Sequence, residues 1–316
     1  METSTDPNTI ATGYLDADSD HRLFWEEWGN PNGAPIMSLH GGPGSGFSDS
    51  HKTIFDPRTH HVFFHDQRGS GRSLPLGETN ANTTQHLIAD ISKLADHHHL
   101  DTFNVAGGSW GSTLALAYAI AEPSRVQNLL IWSIYLGSQF ETDWVNEGYP
   151  RHHFPEAWDR FISHVPEEHR GSGTKTMQYY ADKIHGSDEV LAHQYALEWS
   201  LWEATLMSLQ YDKEALEAAI QSDEELLPGA KLETHYFLNN VFLEEDHIMN
   251  NLDVISGIRC AIVQGRFDMC TPPQTALALA KAYGDKASIQ VVNSGHRRTD
   301  AELRVALQAT ARSLFA

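Results

Sequence analysis

Five residues, Gly107-Gly108-Ser109-Trp110-Gly111, stand between the apolar run FNVA and the helical pattern STLALAYAIA. An extended run that becomes a helix within five residues needs a tight bend, and glycines at its two ends keep Cβ atoms out of the crowded turn. Such a bend lifts the serine hydroxyl clear of the sheet and aims the first N–H groups of the helix at its surroundings. The neighbouring chain alternates in the same way. Arg22–Trp28, Ile36–His40, His61–Asp66, Phe103–Ala106 and Val126–Ile134 read as strands. Thr83–His98 reads as a helix with Leu87, Ile88, Ile91, Leu94 and Ala95 on one face. Strands alternating with helices need crossover connections, so the predicted class is α/β, a mostly parallel sheet flanked by helices.

The rhythm breaks from 138 to 250, where aromatic, acidic and amide residues dominate and the large apolar residues of EWSLWEATLMSLQY and AKLETHYFLNNVFLEED recur at helical spacing. After Gly257 it resumes, with CAIVQGRFD and ASIQVVNSGH as strands and Pro272–Tyr283 and Ala301–Phe315 as helices. The expected organisation is a catalytic core of residues 1–137 and 251–316 with an inserted helical cap of residues 138–250. The polar first nine residues are expected to be loose.

A serine hydroxyl is a poor nucleophile unaided; it needs a base, and the base needs an orienting carboxylate. On a sheet of this type both fall just past later strands, acid before histidine. Asp268 closes CAIVQGRFD and His296 closes IQVVNSGH, giving the chain order Ser109, Asp268, His296. His97–His99 and His152–His153 are rival bases, expected on solvated surface, and the rival acids Asp285 and Asp300 end no apolar run. No H-E-x-x-H supports a zinc site. The loop His40–Gly46, HGGPGSG, follows the strand IMSL and nominates the backbone N–H groups of Gly42 and Trp110 for a developing oxyanion. A dinucleotide-binding loop would need glycine at position 47, which is Phe47.

Composition narrows the partners. Lys plus Arg is 22 against 42 for Asp plus Glu, a net charge of -20, which opposes binding to nucleic acid. Two cysteines, Cys260 and Cys270, give no disulfide framework, and the first ten residues lack the basic and apolar regions of a signal peptide. No apolar run nears the roughly 20 residues that span a bilayer. These features predict a cytoplasmic protein without membrane or nucleic-acid partners.

HGGPGSG, DQRGSGRS (Asp66–Ser73), GGSWGSTLALAYA (Gly107–Ala119) and GRFDMCTP (Gly265–Pro272) together resemble the proline iminopeptidases, or prolyl aminopeptidases, of the α/β-hydrolase superfamily. The likeness runs from about residue 30 to the end of the chain. It implies a serine exopeptidase acting on peptides with a free N-terminal proline, without metal or organic cofactor. By the same likeness Glu203 and Glu233 bind the substrate amine, Phe237 lines the pocket for the proline ring, and Cys270 lies beside it. A buried ammonium requires carboxylates of this kind. The chain also departs from the family. Where the familiar pattern is Arg-Gly-Ile-Phe it has Trp132-Ser133-Ile134-Tyr135, and where a Trp-Tyr pair is usual it has Trp144-Val145. These positions, Tyr135 among them, border the expected acyl pocket. An esterase, an amidase or a broader aminopeptidase on the same scaffold is the alternative, and Glu203 and Glu233 are the residues that separate them.

Overall fold

The computed structural model describes residues 6–18 and 20–316. Eight strands form one sheet: β1 (Thr9–Asp16), β2 (Arg22–Gly29), β3 (Ala34–Leu39), β4 (His60–His65), β5 (Phe103–Ser109), β6 (Val126–Ile134), β7 (Arg259–Gly265) and β8 (Ala287–Val292). Their order is β1-β2-β4-β3-β5-β6-β7-β8. β2 is antiparallel to both its neighbours, and every pairing from β4 to β8 is parallel. The α/β class and mostly parallel sheet therefore match the expectation, with an antiparallel edge that the strand–helix rhythm did not announce.

Residues 1–5 lie outside the described residues, but 6–9, expected to be loose, are tied to the sheet edge. Trp28 Nε1 donates to Asp6 Oδ2 at 2.9 Å and Thr9 Oγ1 donates to Glu26 Oε1 at 2.6 Å.

The sheet is sandwiched because its central strands are apolar on both faces. On one side Met37, Val105 and Ile131 meet helix residues Leu87, Ile91, Leu114 and Leu279. On the other, Ile36, Phe64, Leu130 and Val263 meet Leu303, Leu307 and Ala311 of the helix Ala301–Leu314. Each fully buried Leu or Ile contributes about 1.5–3 kcal/mol through removal from water. The helix Thr84–His97 starts where Thr83 accepts from the His86 N–H and buries the predicted face. That face also carries Asp90, whose carboxylate takes Arg68 Nε at 2.6 Å and Nη2 at 2.7 Å. His98 is not solvated surface: it packs on Trp25 and Phe63, with both ring centroids at 4.6 Å, and burial together with His97 pushes its pKa down to about 4.

Between β6 and β7 the described chain contains only helices, the longest being Glu189–Met207, with Leu226–Leu238 after it. Asp188 opens the first of these by accepting from Val190 and Leu191 N–H, each at 3.1 Å. This block has its own aromatic cluster, centred on Phe161, Tyr180, Trp199 and Trp202, and Cys270 from the turn after β7 is buried in it.

Candidate active site

Ser109 is the last residue of β5 and precedes the helix Trp110–Ala121. Its backbone takes φ 56° and ψ -130°, a conformation that costs a non-glycine residue on the order of 1–3 kcal/mol. The crowding that enforces it is visible at Gly111, where a Cβ would run into the Leu39 carbonyl.

Asp268 and His296 sit on the turns that follow β7 and β8. His296 Nδ1 lies 2.9 Å from Asp268 Oδ2 and 3.1 Å from Oδ1, so the carboxylate holds the proton on Nδ1 and leaves Nε2 with its lone pair. Both are buried. Asp268 is itself held: the N–H groups of Cys270 and Thr271 donate to Oδ1 at 3.0 and 2.8 Å, and Thr271 Oγ1 donates to Oδ2 at 2.9 Å. Gln264 Nε2 adds a contact at 3.2 Å while its Oε1 accepts the Ile134 N–H at 2.9 Å, locking β7 to β6 behind the acid. Burial disfavours a charged His296, but the Asp268 charge and hydrogen bond, helped by Glu203, outweigh it and leave the imidazole above its ordinary value. The rival acid Asp300 is turned elsewhere, accepting from Ser294 Oγ and the Gly295 N–H at 3.0 Å each.

Ser109 and His296 open onto one cavity of about 520 Å³, whose wall also includes Gly42, Glu203 and Glu233. Among the described residues no hydrogen bond joins the Ser109 hydroxyl to the imidazole; bonds of this kind commonly tighten only around substrate. Gly42 has φ 106°, open to glycine and strained for any other residue. Its loop is pinned to the nucleophile's helix through Gln67. The Gln67 N–H donates to His40 Nε2 at 2.9 Å, its Nε2 donates to the His40 carbonyl at 3.0 Å, and its Oε1 accepts Trp110 Nε1 at 2.8 Å. Asp66 completes the frame by accepting the Phe47 N–H at 2.7 Å and Arg72 Nε at 2.7 Å.

Glu203 and Glu233 come from the two longest inserted helices near the cavity and meet there. Their carboxyls stand on the same cavity wall and act on each other's ionisation, and Trp199 Nε1 donates to Glu233 Oε2 at 2.6 Å. Burial first, then the Glu203 charge, hold Glu233 well above the usual carboxylate range; burial also raises Glu203, against the pull of His296 and Arg297. Two adjoining buried carboxyls cannot both ionise cheaply, so the pair favours keeping a proton.

A smaller cavity of about 40 Å³ opens beside Ser109, with Tyr135, Phe237, Cys270, Trp199 and Glu141 in its lining. Tyr135 and Phe237 meet edge to face, centroids 5.6 Å apart. All ten residues singled out in the sequence thus fall at one site or on its immediate frame. Sequence reasoning missed Trp199, although it stands four residues before Glu203 on one helical face. It also missed Gln67, Thr271 and Glu141, the last pushed up to about 7 by burial against hydrogen bonds from Ser138 and Leu136. Among the described residues no group of three or more His, Cys, Asp or Glu is arranged to hold a metal ion, and no helix is long and apolar enough to cross a membrane.

Comparison with known proteins places these observations in a family. The family model for the alpha/beta hydrolase fold matches residues 34–297. A proline iminopeptidase of Neisseria meningitidis serogroup A is 41% identical over 297 residues, covering 94% of this chain and 93% of that one. One from Arabidopsis thaliana is 38% identical over 300 residues, covering 94% and 78%. Among solved structures, an esterase from Thermogutta terrifontis superposes with a TM-score of 0.65 at 16% identity over 96% of this chain and 98% of that one, a likeness of fold alone.

Proposed function

This chain belongs to the proline iminopeptidases of the alpha/beta-hydrolase superfamily, and we propose that Ser109, His296 and Asp268 carry its acyl transfer while Glu203 and Glu233 hold the substrate amine. It is a serine exopeptidase that releases N-terminal proline. The observation that carries the assignment of residues is the meeting of two proton-sharing carboxyls on the wall that also holds Ser109 and His296.

The proline ammonium displaces the shared proton and pairs with the ionised carboxyls, and the ring enters the small cavity against Phe237 and Tyr135. Cys270 closes the side next to Asp268. His296 Nε2 takes the Ser109 proton as Oγ bonds to the proline carbonyl carbon. The backbone N–H groups of Gly42 and Trp110 receive the oxyanion, a single such donor being worth about 3–4 kcal/mol in comparable sites. Collapse breaks the C–N bond, and the imidazolium returns its proton to the leaving amine. Water, deprotonated by the same imidazole, then attacks the prolyl ester and frees proline and the Ser109 hydroxyl. The helical block acts as a cap, closing the space beyond the amine so that a residue preceding proline has nowhere to go.

Proline 4-nitroanilide, its N-acetyl form and a simple aryl ester test the assignment. Glu203→Gln and Glu233→Gln should each lose about 100-fold or more in kcat/KM on the free-amine anilide, since removing one partner leaves a buried charge unpaired. The ester should be largely spared. Equal hydrolysis of acetylated and free anilides by the natural sequence would instead favour the esterase or amidase alternative.

A further inference from the structure

The large cavity carries charges that the chemistry above does not use. Arg297 and Arg298 follow His296 directly and line the same wall. Arg298 Nη2 donates to Ser50 Oγ at 2.7 Å and to His51 Nδ1 at 3.0 Å. Neither partner is charged, because burial and Arg298 itself hold His51 well below its ordinary value. Among the described residues neither guanidinium has a carboxylate partner, and the Nε of each is buried without a hydrogen bond. The obvious counter-charge, Asp300, is committed to its own loop through Ser294 and Gly295, which also fixes the loop in place. Arg297 acts on Glu203 only at a distance, and neither of these adjacent cations is closed by an ion pair among the described residues, in a chain whose net charge is -20. Burial and the Arg297 charge push Arg298 down to about 10, the mark of a guanidinium lacking an anion.

The cavity volume of about 520 Å³ lies within the range of roughly 300–1,000 Å³ that encloses drug-sized ligands, the size of a di- or tripeptide. We propose that Arg297 and Arg298 bind a carboxylate on the leaving side of the substrate, so that the cavity reads a short peptide at both ends. This rests on the aminopeptidase reading: with the amine at Glu203 and Glu233 and the scissile carbonyl at Ser109, the rest of the peptide occupies the remaining cavity. Asp223 and Glu225, which also line it, repel an anion and turn it toward the arginines. The carboxylate is either the C-terminus of the peptide or an acidic side chain in the second position.

The test compares kcat/KM for Pro-Gly, Pro-Gly-NH2 and Pro-Asp-NH2, with proline 4-nitroanilide as the reference. The natural sequence should favour Pro-Gly over Pro-Gly-NH2 at least about tenfold, through KM, with the preference shrinking at high salt. A gain for Pro-Asp-NH2 in place of Pro-Gly identifies the side chain as the anion recognised. In an Arg297→Gln, Arg298→Gln double variant the preference should fall toward one. Arg297→Gln alone, which breaks no hydrogen bond seen here, should reduce it in the same direction and serves if the double variant does not fold. Equal constants for all three peptides, or a preference unchanged in the variants, overturns the proposal. Failure to cleave the anilide at all would instead overturn the aminopeptidase reading.

Discussion

The backbone of Ser109 is bent against its own side chain, and that strain separates stability from chemistry. Ser109→Ala and Ser109→Gly both remove the nucleophile and should abolish turnover, but only glycine adopts φ 56° and ψ -130° freely. The glycine variant should therefore melt higher than the alanine variant, by about 1–2 °C for each kcal/mol relieved in a chain of 316 residues. As the proposed base, His296 sets the pH dependence. It must be neutral to accept a proton, and Asp268 holds its pKa above the ordinary value of 6.5, so kcat/KM should rise through a pKa above 6.5. Asp268→Asn removes that support and the tautomer it imposes. The rate should drop by about 10⁴-fold, and the residual acid limb should move downward. Glu233 links pH to stability as well. Its carboxyl holds a proton more tightly in the folded chain than in the unfolded one, so raising the pH above about 4.5 ionises the unfolded form first and weakens the fold. Glu233→Gln should accordingly raise Tm, more at pH 8 than at pH 4, while losing amine recognition. A thermal shift without that pH dependence would contradict the shared-proton picture.

At the scale of elements, the strands and the helix faces were legible because hydrophobic periodicity is local. Leu87, Ile91, Leu94 and Ala95 are buried as their spacing predicts. β1 was not legible, since TIATGYLD is half-exposed along its length and shows no clean alternation. The frame of the site was also out of reach. Gln67 joins His40 to Trp110, 43 residues away, and Asp90 looks like an error on an apolar face until Arg68 arrives from a separate loop. Polar partnerships of this range leave no period. Elements around the cavity also differ in how firmly they are held. The helix Lys213–Gln221 buries none of its residues, unlike Glu189–Met207. Its amides should exchange with solvent faster than those of Glu189–Met207 by orders of magnitude, measurable by hydrogen–deuterium exchange. Comparable protection of the two would mean that the cavity's outer edge is as rigid as its floor.

At the scale of the molecule, the order Ser109, Asp268, His296 could be read from the chain because the sheet dictates it: the serine ends β5, and the other two sit on the turns after β7 and β8. What could not be read was that Glu203 and Glu233 come to one wall, or that the Ser109 hydroxyl makes no hydrogen bond to the imidazole. Both depend on distances between elements rather than on their order. The same layout has a consequence for biosynthesis. The serine leaves β5, the acid β7 and the base β8, and β8 is the outermost strand, docked on β7 alone. By the proposed roles, a chain that stops short of β8 would hold the serine but lack the base that deprotonates it. Peptide cleavage then awaits completion of the sheet.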